Sequence, residues 1–149
     1  MTESATFSVA ELDHLAFPLV NRFFKENGHK GKARGGERAW IARNEQGVIV
    51  AGLRASPKSA GYLLRSVWVS GNARRQGIGS RLLNQTMKDM KSLASATCWC
   101  YPYSHLETFY RRAGFIFPEI ESIPSDILQP YQRYQQQGQD FLLMARFPQ

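Results

Sequence analysis

The stretch Arg74-Arg75-Gln76-Gly77-Ile78-Gly79 decides how this chain is read. It follows an apolar run, Tyr62 to Val69, and opens onto a helical pattern that begins near Gly77. Two glycines two apart let backbone N–H groups approach an anion closely. A helix start adds unpaired N–H donors and the positive end of the helix dipole. Read by itself, the stretch is a pyrophosphate cradle for a nucleotide-type cofactor, entered by two arginines.

Behind the loop, Ile78, Leu82, Leu83, Met87, Met90 and Leu93 recur at helical spacing, while Arg81, Asn84, Gln85, Lys88, Asp89 and Lys91 fall mostly on other faces. That predicts an amphipathic helix of about four turns. Thr97 to Tyr101 reads as a strand. Ser104-His105-Leu106-Glu107 has the spelling of a capping box and predicts a helix to about Ala113, ended by Gly114. Phe115 to Phe117 is apolar enough for a strand, and Pro118 to Pro130 is turn-rich with room for a helical turn. Tyr131 to Gln137 reads as a short exposed helix, and Phe141 to Phe147 as the last strand.

Upstream of the loop, Thr6 to Val9 predicts a first strand. Asp13 can cap a short helical turn, and Pro18 suits the first position of a helix carrying Leu19, Val20, Phe23 and Phe24, with Gly28 as its stop. Residues 28–38 form a loop with Lys30, Lys32, Arg34 and Arg38 and a single acid, Glu37. Ala39 to Arg43 and Val48 to Leu53 flank the turn Asn44-Glu45-Gln46-Gly47 as a hairpin. Ser56-Pro57-Lys58-Ser59 reads as a second turn before the strand Tyr62 to Val69, and Trp40 reads as core. The expectation is one domain over residues 1–149, a mixed α/β or α+β sheet covered by helices. The uneven strand order, the missing third glycine of G-x-G-x-x-G and the lack of an acid about 20 residues on argue against a dinucleotide-binding domain.

Composition narrows the partners. The chain has 149 residues, 43% hydrophobic and 21% charged, with a net charge of +7. This suits a soluble domain with a real core and favours anionic partners over a polycationic substrate. The two cysteines, Cys98 and Cys100, lie two apart without further Cys or His nearby, so they read as buried strand thiols and no metal site is expected. The run Leu15 to Val20 is too short to span a membrane and is broken by Pro18, which leaves a cytoplasmic protein as the expectation.

Three features in order resemble the GCN5-related N-acetyltransferase (GNAT) superfamily. Val67-Trp68-Val69 running into Ser70-Gly71-Asn72-Ala73-Arg74-Arg75-Gln76-Gly77-Ile78-Gly79 is similar to its strand and R/Q-x-x-G-x-G/A loop. Ser80-Arg81-Leu82-Leu83 is similar to the helix that follows, and Phe109-Tyr110-Arg111-Arg112-Ala113-Gly114-Phe115 to its Y-x-x-x-G-F segment. The match covers about residues 62–117. The resemblance implies acetyl transfer from acetyl-CoA to an amine, with the acyl donor held where two central parallel strands splay apart. Backbone groups of Val67 and Val69 would then pair with the pantetheine arm. Backbone N–H groups of about Arg75, Gln76, Gly77, Ile78, Gly79 and Ser80 would hold the pyrophosphate, with Arg74 and Arg75 adding positive charge.

The resemblance also implies that Tyr110 is the catalytic acid, protonating the thiolate as a tetrahedral intermediate collapses; a phenol of pKa ~10 is suited to this. Relatives often carry a general-base Glu on the strand before the loop, but Leu63-Leu64-Arg65-Ser66-Val67-Trp68-Val69 has no carboxylate. Ser66 could position a water, and Glu37, His29 and His105 are candidate bases, whereas Glu107 is expected in the capping box. Tyr103 and Ser104 stand where the family often has a cofactor-contacting Asn. The acceptor is an amine of a small molecule or protein, on a monomer or homodimer. A non-catalytic acyl-CoA sensor and an acetyltransferase of aminoacyl-tRNA, suggested by the basic loop, are the alternatives.

Overall fold

The computed structural model describes residues 6–91 and 97–148. Leu93, expected on the apolar face of the long helix, lies outside them. The elements in order are β1 (Ser8–Leu12), a 3₁₀ turn (His14–Ala16), α1 (Phe17–Glu26), β2 (Arg38–Arg43), β3 (Ile49–Lys58) and β4 (Gly61–Val69). A second 3₁₀ turn (Gly71–Ala73), α2 (Ile78–Lys91) and β5 (Thr97–Cys100) follow. The chain then forms a third 3₁₀ turn (Ser104–Leu106), α3 (Glu107–Arg112), a fourth turn (Ile120–Ser122), α4 (Ser125–Gln136) and β6 (Met144–Arg146). The strands are ordered β1-β2-β3-β4-β5-β6 in one mixed sheet. The pairs β1/β2, β2/β3 and β5/β6 are antiparallel, and β4/β5 is parallel. Among the described residues, the parallel pairing covers Gly61–Leu63 of β4 against Thr97–Trp99.

The chain forms two compact units, Met1–Ala55 with Arg65–Asp89, and Ser56–Leu64 with Met90–Gln149. In the first, both faces of β2 are covered. Ala39 and Ile41 pack with Phe17, Val20, Phe23 and Phe24 of α1. Trp40, on the opposite face, is fully buried and its indole Nε1 donates to Asp89 of α2 at 2.7 Å. Asp13 caps the first 3₁₀ turn, accepting from Leu15 N at 2.8 Å, and Pro18 sits in the first turn of α1. In α2, Ile78, Leu82, Leu83, Met87 and Met90 are buried as the spacing predicts.

The second unit is built around Leu63, Trp99, Ile127, Leu143 and Ala145. Here several sequence expectations are corrected. β3 runs on through Ser56-Pro57-Lys58, so the turn falls at Ser59-Ala60. Asp126 pins that turn, accepting from Ser59 N at 2.9 Å and Ser59 Oγ at 2.8 Å. The Gln-rich segment is the second half of α4, which passes through Pro130. Losing one intrahelical bond at the proline is offset by burial of Ile127 and by the Tyr101 hydroxyl, which donates to the Ile127 carbonyl at 2.6 Å. Phe115–Phe117 forms no strand; Ile116 makes a single bridge to Ala145 while Phe115 is buried. At the other end of the sheet, β1 lies two residues later than Thr6–Val9, because Ser8 to Leu12 are the residues in register with Arg43 to Ala39.

Gly61 opens β4 at φ +132°, and a Cβ there would run into the Thr97 backbone. Gly61→Ala is expected to cost at least about 2 kcal/mol, from left-handed strain and a clash with backbone that cannot yield. Gly35→Ala, which meets nothing, should change stability by no more than about 0.5 kcal/mol. Urea midpoints of the two variants check the contrast.

Candidate active site

The first unit carries the glycine loop and the half of β4 that leads into it. Ser66, inside β4, has φ 59°, a conformation L-residues seldom adopt within a strand. Its Oγ accepts from Arg54 Nε at 2.9 Å. Arg54 Nη1 in turn donates to Glu37 Oε2 at 2.9 Å, and Glu37 Oε1 accepts from Arg34 N at 2.9 Å. The Arg54–Glu37 pair is largely buried, at 12% and 11% side-chain exposure. Burial lowers the guanidinium's pKa and the Glu37 carboxylate counters it. Glu37 is therefore committed to an ion pair, and Ser66 to the guanidinium. Arg54 was not singled out by the sequence reading; the signal available was one arginine in the apolar run Ile49 to Ala55.

His29 follows the end of α1, where its N–H donates to the Phe24 carbonyl at 2.9 Å. Its half-buried ring lies 5.3 Å from the Phe24 ring and 5.9 Å from the Trp68 ring, between centroids. Burial, and then the charge of Arg54, lower its pKa.

Val67 and Val69 are half-buried on β4. The Val69 carbonyl accepts from Arg74 Nε at 3.0 Å, and the Arg74 guanidinium lies 5.0 Å from the Trp68 ring centroid. Arg74 thus braces the loop against the strand. Arg75 is exposed and adopts φ 67°. Gln76 turns back, its Nε2 donating to the Asn72 carbonyl at 3.2 Å. Gly77, at φ 77°, supplies the left-handed turn before α2, and Arg81 N donates to its carbonyl at 3.1 Å. The N–H groups of Ile78, Gly79 and Ser80 precede that first helical bond, so no helical carbonyl faces them. Three donors at a dipole's positive end suit a pyrophosphate.

The second unit holds Tyr110, on α3 and 5% exposed. Its ring meets Phe109 and Phe115 edge-on, with centroids 5.1 Å and 5.5 Å away. The Tyr110 carbonyl accepts from Phe115 N at 3.1 Å, so the Gly114 turn fixes the aromatic pair. Burial, and secondarily Cys100 and Cys98, push the phenol's pKa well above its ordinary value. The capping box is not formed. Ser104 lies in the third 3₁₀ turn, α3 is capped at Leu106 without a side-chain bond, and Ser104 Oγ donates to Asp140 at 2.6 Å. Glu107 pairs with Arg111 at 2.6 Å. His105 stacks on the exposed Tyr103, centroids 5.8 Å apart. Cys98 and Cys100 are free and buried, and burial pushes both thiols up. Among the described residues, no group of three or more His, Cys, Asp or Glu is placed to hold a metal, and no helix is long and apolar enough to cross a membrane.

A mixed sheet with this loop and helix order defines an acyl-CoA N-acyltransferase fold. Residues 35–117 match the acetyltransferase (GNAT) domain family, and the chain belongs to that family. Its structure is similar to a GNAT-family acetyltransferase of Staphylococcus aureus, at TM-score 0.66 and 15% identity, covering 97% of this chain and 100% of that one. Tetrahymena GCN5 gives TM-score 0.68 and 14% identity, with 95% and 96% covered. N-acetylglutamate synthase from Neisseria gonorrhoeae, solved with coenzyme A and N-acetyl-glutamate, gives 0.68 and 16%, covering 99% of this chain and 36% of that one. By sequence, no curated protein matches.

The buried thiols yield a prediction independent of any ligand. Iodoacetamide at pH 8 is expected to leave Cys98 and Cys100 unmodified in the folded protein, because the thiolate is the nucleophile and burial suppresses it. Both should alkylate in denaturant. Mass spectrometry of the two samples reads the difference, and labelling of either cysteine in the native sample would contradict it.

Proposed function

We propose that residues 1–149 act as one N-acetyltransferase domain, moving the acetyl group of acetyl-CoA to a primary amine of a small molecule or protein. The observation that carries this reading is the Gly77 turn into α2, with the N–H groups of Ile78, Gly79 and Ser80 ahead of the first helical hydrogen bond. Gly77, Ile78, Gly79 and Ser80 would hold the pyrophosphate, with Arg75 rather than the braced Arg74 supplying charge. Val67 and Val69 would line the pantetheine arm.

In the reaction, the acceptor nitrogen attacks the thioester carbonyl, the C–N bond forms and the C–S bond breaks. Tyr110 gives its hydroxyl proton to the leaving sulfur. Its raised pKa keeps that proton in place throughout the neutral range. A thiolate forming away from water is raised as well, which narrows the gap between donor and acceptor.

With acetyl-CoA and a panel of primary amines, the wild-type protein is expected to release coenzyme A, read with a thiol reagent. Tyr110→Phe should lower kcat by about 10²-fold, a usual contribution for general acid catalysis, with the KM for acetyl-CoA nearly unchanged. Full activity of Tyr110→Phe would remove the phenol from the mechanism. Arg75→Gln should raise the KM for acetyl-CoA by about tenfold, the worth of roughly one charge-assisted hydrogen bond. Because the Tyr110 pKa is raised, its ionisation should produce no falling limb in kcat below about pH 10.

A further inference from the structure

The first unit gathers a second set of reactive groups beside the C-terminal half of β4. A Cβ built on Gly31 would collide both with Ser66 Oγ and with His29 Nε2, so these two atoms flank the same point of backbone. We propose that His29 is the general base of the acetyl transfer, accepting at Nε2 the proton of the attacking acceptor nitrogen. The inference rests on the reading above and supplies the base that β4 itself lacks.

Four observations carry it. The carboxylates nearest in role are committed, Glu37 to Arg54 and Glu107 to Arg111. The His29 imidazole lies against Trp68, between Val67 and Val69, the residues assigned to the pantetheine arm. Its ring nitrogens make no hydrogen bond among the described residues, so a lone pair is available. The ring is also held: the helix-end bond to Phe24 and contact with the Phe24 ring fix where it sits.

The surroundings favour the neutral imidazole. Arg54 on β3 faces it with positive charge, itself paired with Glu37, and Arg65 on β4 adds to the charge at Arg54. Phe24 on α1 and Trp68 on β4 contribute apolar surface without charge, and Lys30 and Lys32 on the same loop are exposed. Burial and Arg54 both depress the pKa, so the base form persists below the usual value of ~6.5.

The proton balance closes. As the C–N bond forms, the nitrogen becomes acidic and its proton passes to Nε2, while the proton of Tyr110 goes to the sulfur. The imidazolium then returns its proton to solvent and the phenolate regains one, so each turnover ends with amide and free thiol.

The test compares wild type, His29→Gln and His29→Ala. It uses acetyl-CoA with α-amino acids, alkyl diamines and short peptides as acceptors, kcat measured at saturating amine from pH 5 to 9, and acetyl-CoA binding measured by calorimetry. Wild-type kcat should rise to a plateau with an apparent pKa below 6.5. His29→Gln should lose about 10²-fold and the rising limb, and bind acetyl-CoA within about twofold of wild type. Added imidazole should partly restore His29→Ala. A His29→Gln variant that keeps the wild-type rate and pH profile overturns the assignment. So does one that loses acetyl-CoA binding, which would make His29 part of the cofactor face. Acetyl-CoA binding by wild type without transfer to any amine overturns the underlying reading instead.

Discussion

The site depends on one interaction, the hydrogen bond from the Arg54 guanidinium to Ser66 Oγ in the middle of β4. A left-handed serine inside a strand costs about 1–2 kcal/mol, and it persists where its surroundings over-determine it. Here Arg54 supplies that determination and is itself fixed by Glu37, whose second oxygen holds the Arg34 backbone. Beyond Ser66, Trp68 packs against the α1 cluster. Arg74 lies on Trp68 and binds the Val69 carbonyl. The order of constraint runs from Glu37 through Arg54, Ser66, Trp68 and Arg74 to the glycine loop. Arg54 is thus linked to a loop twenty residues away in sequence by a chain of contacts within one compact unit.

The loop's own conformation was legible in the sequence because it is a local property. Gly77 has to be left-handed for the chain to turn into α2, and the apolar spacing from Ile78 onward has one solution as a helix. Gly114 was legible for the same reason, as the left-handed stop of α3. Arg54 was not, because its meaning lies in Glu37 and Ser66, 17 and 12 residues away. The capping box failed for a related cause. Ser104 and Glu107 have the right spacing, but Ser104 lies in a 3₁₀ turn with its hydroxyl on the distant Asp140, and Glu107 pairs one helical turn on with Arg111. Pro130 misled in the opposite sense, since tertiary burial of Ile127 carries α4 through a residue that local rules treat as a stop.

The assigned acid and base share a physical origin. Burial disfavours whichever form of a group is charged. For a phenol the favoured neutral form is the one that still holds its proton; for an imidazole it is the one with a free lone pair. The same desolvation therefore raises Tyr110 and lowers His29, each within its own unit. The neighbours act in the same direction, Cys100 and Cys98 on the phenol and Arg54 on the imidazole. Pairs of titratable groups pushed apart in this way divide acid from base work at neutral pH. On the proposed reading, desolvation within each unit leaves Tyr110 holding its proton and His29 with a free lone pair.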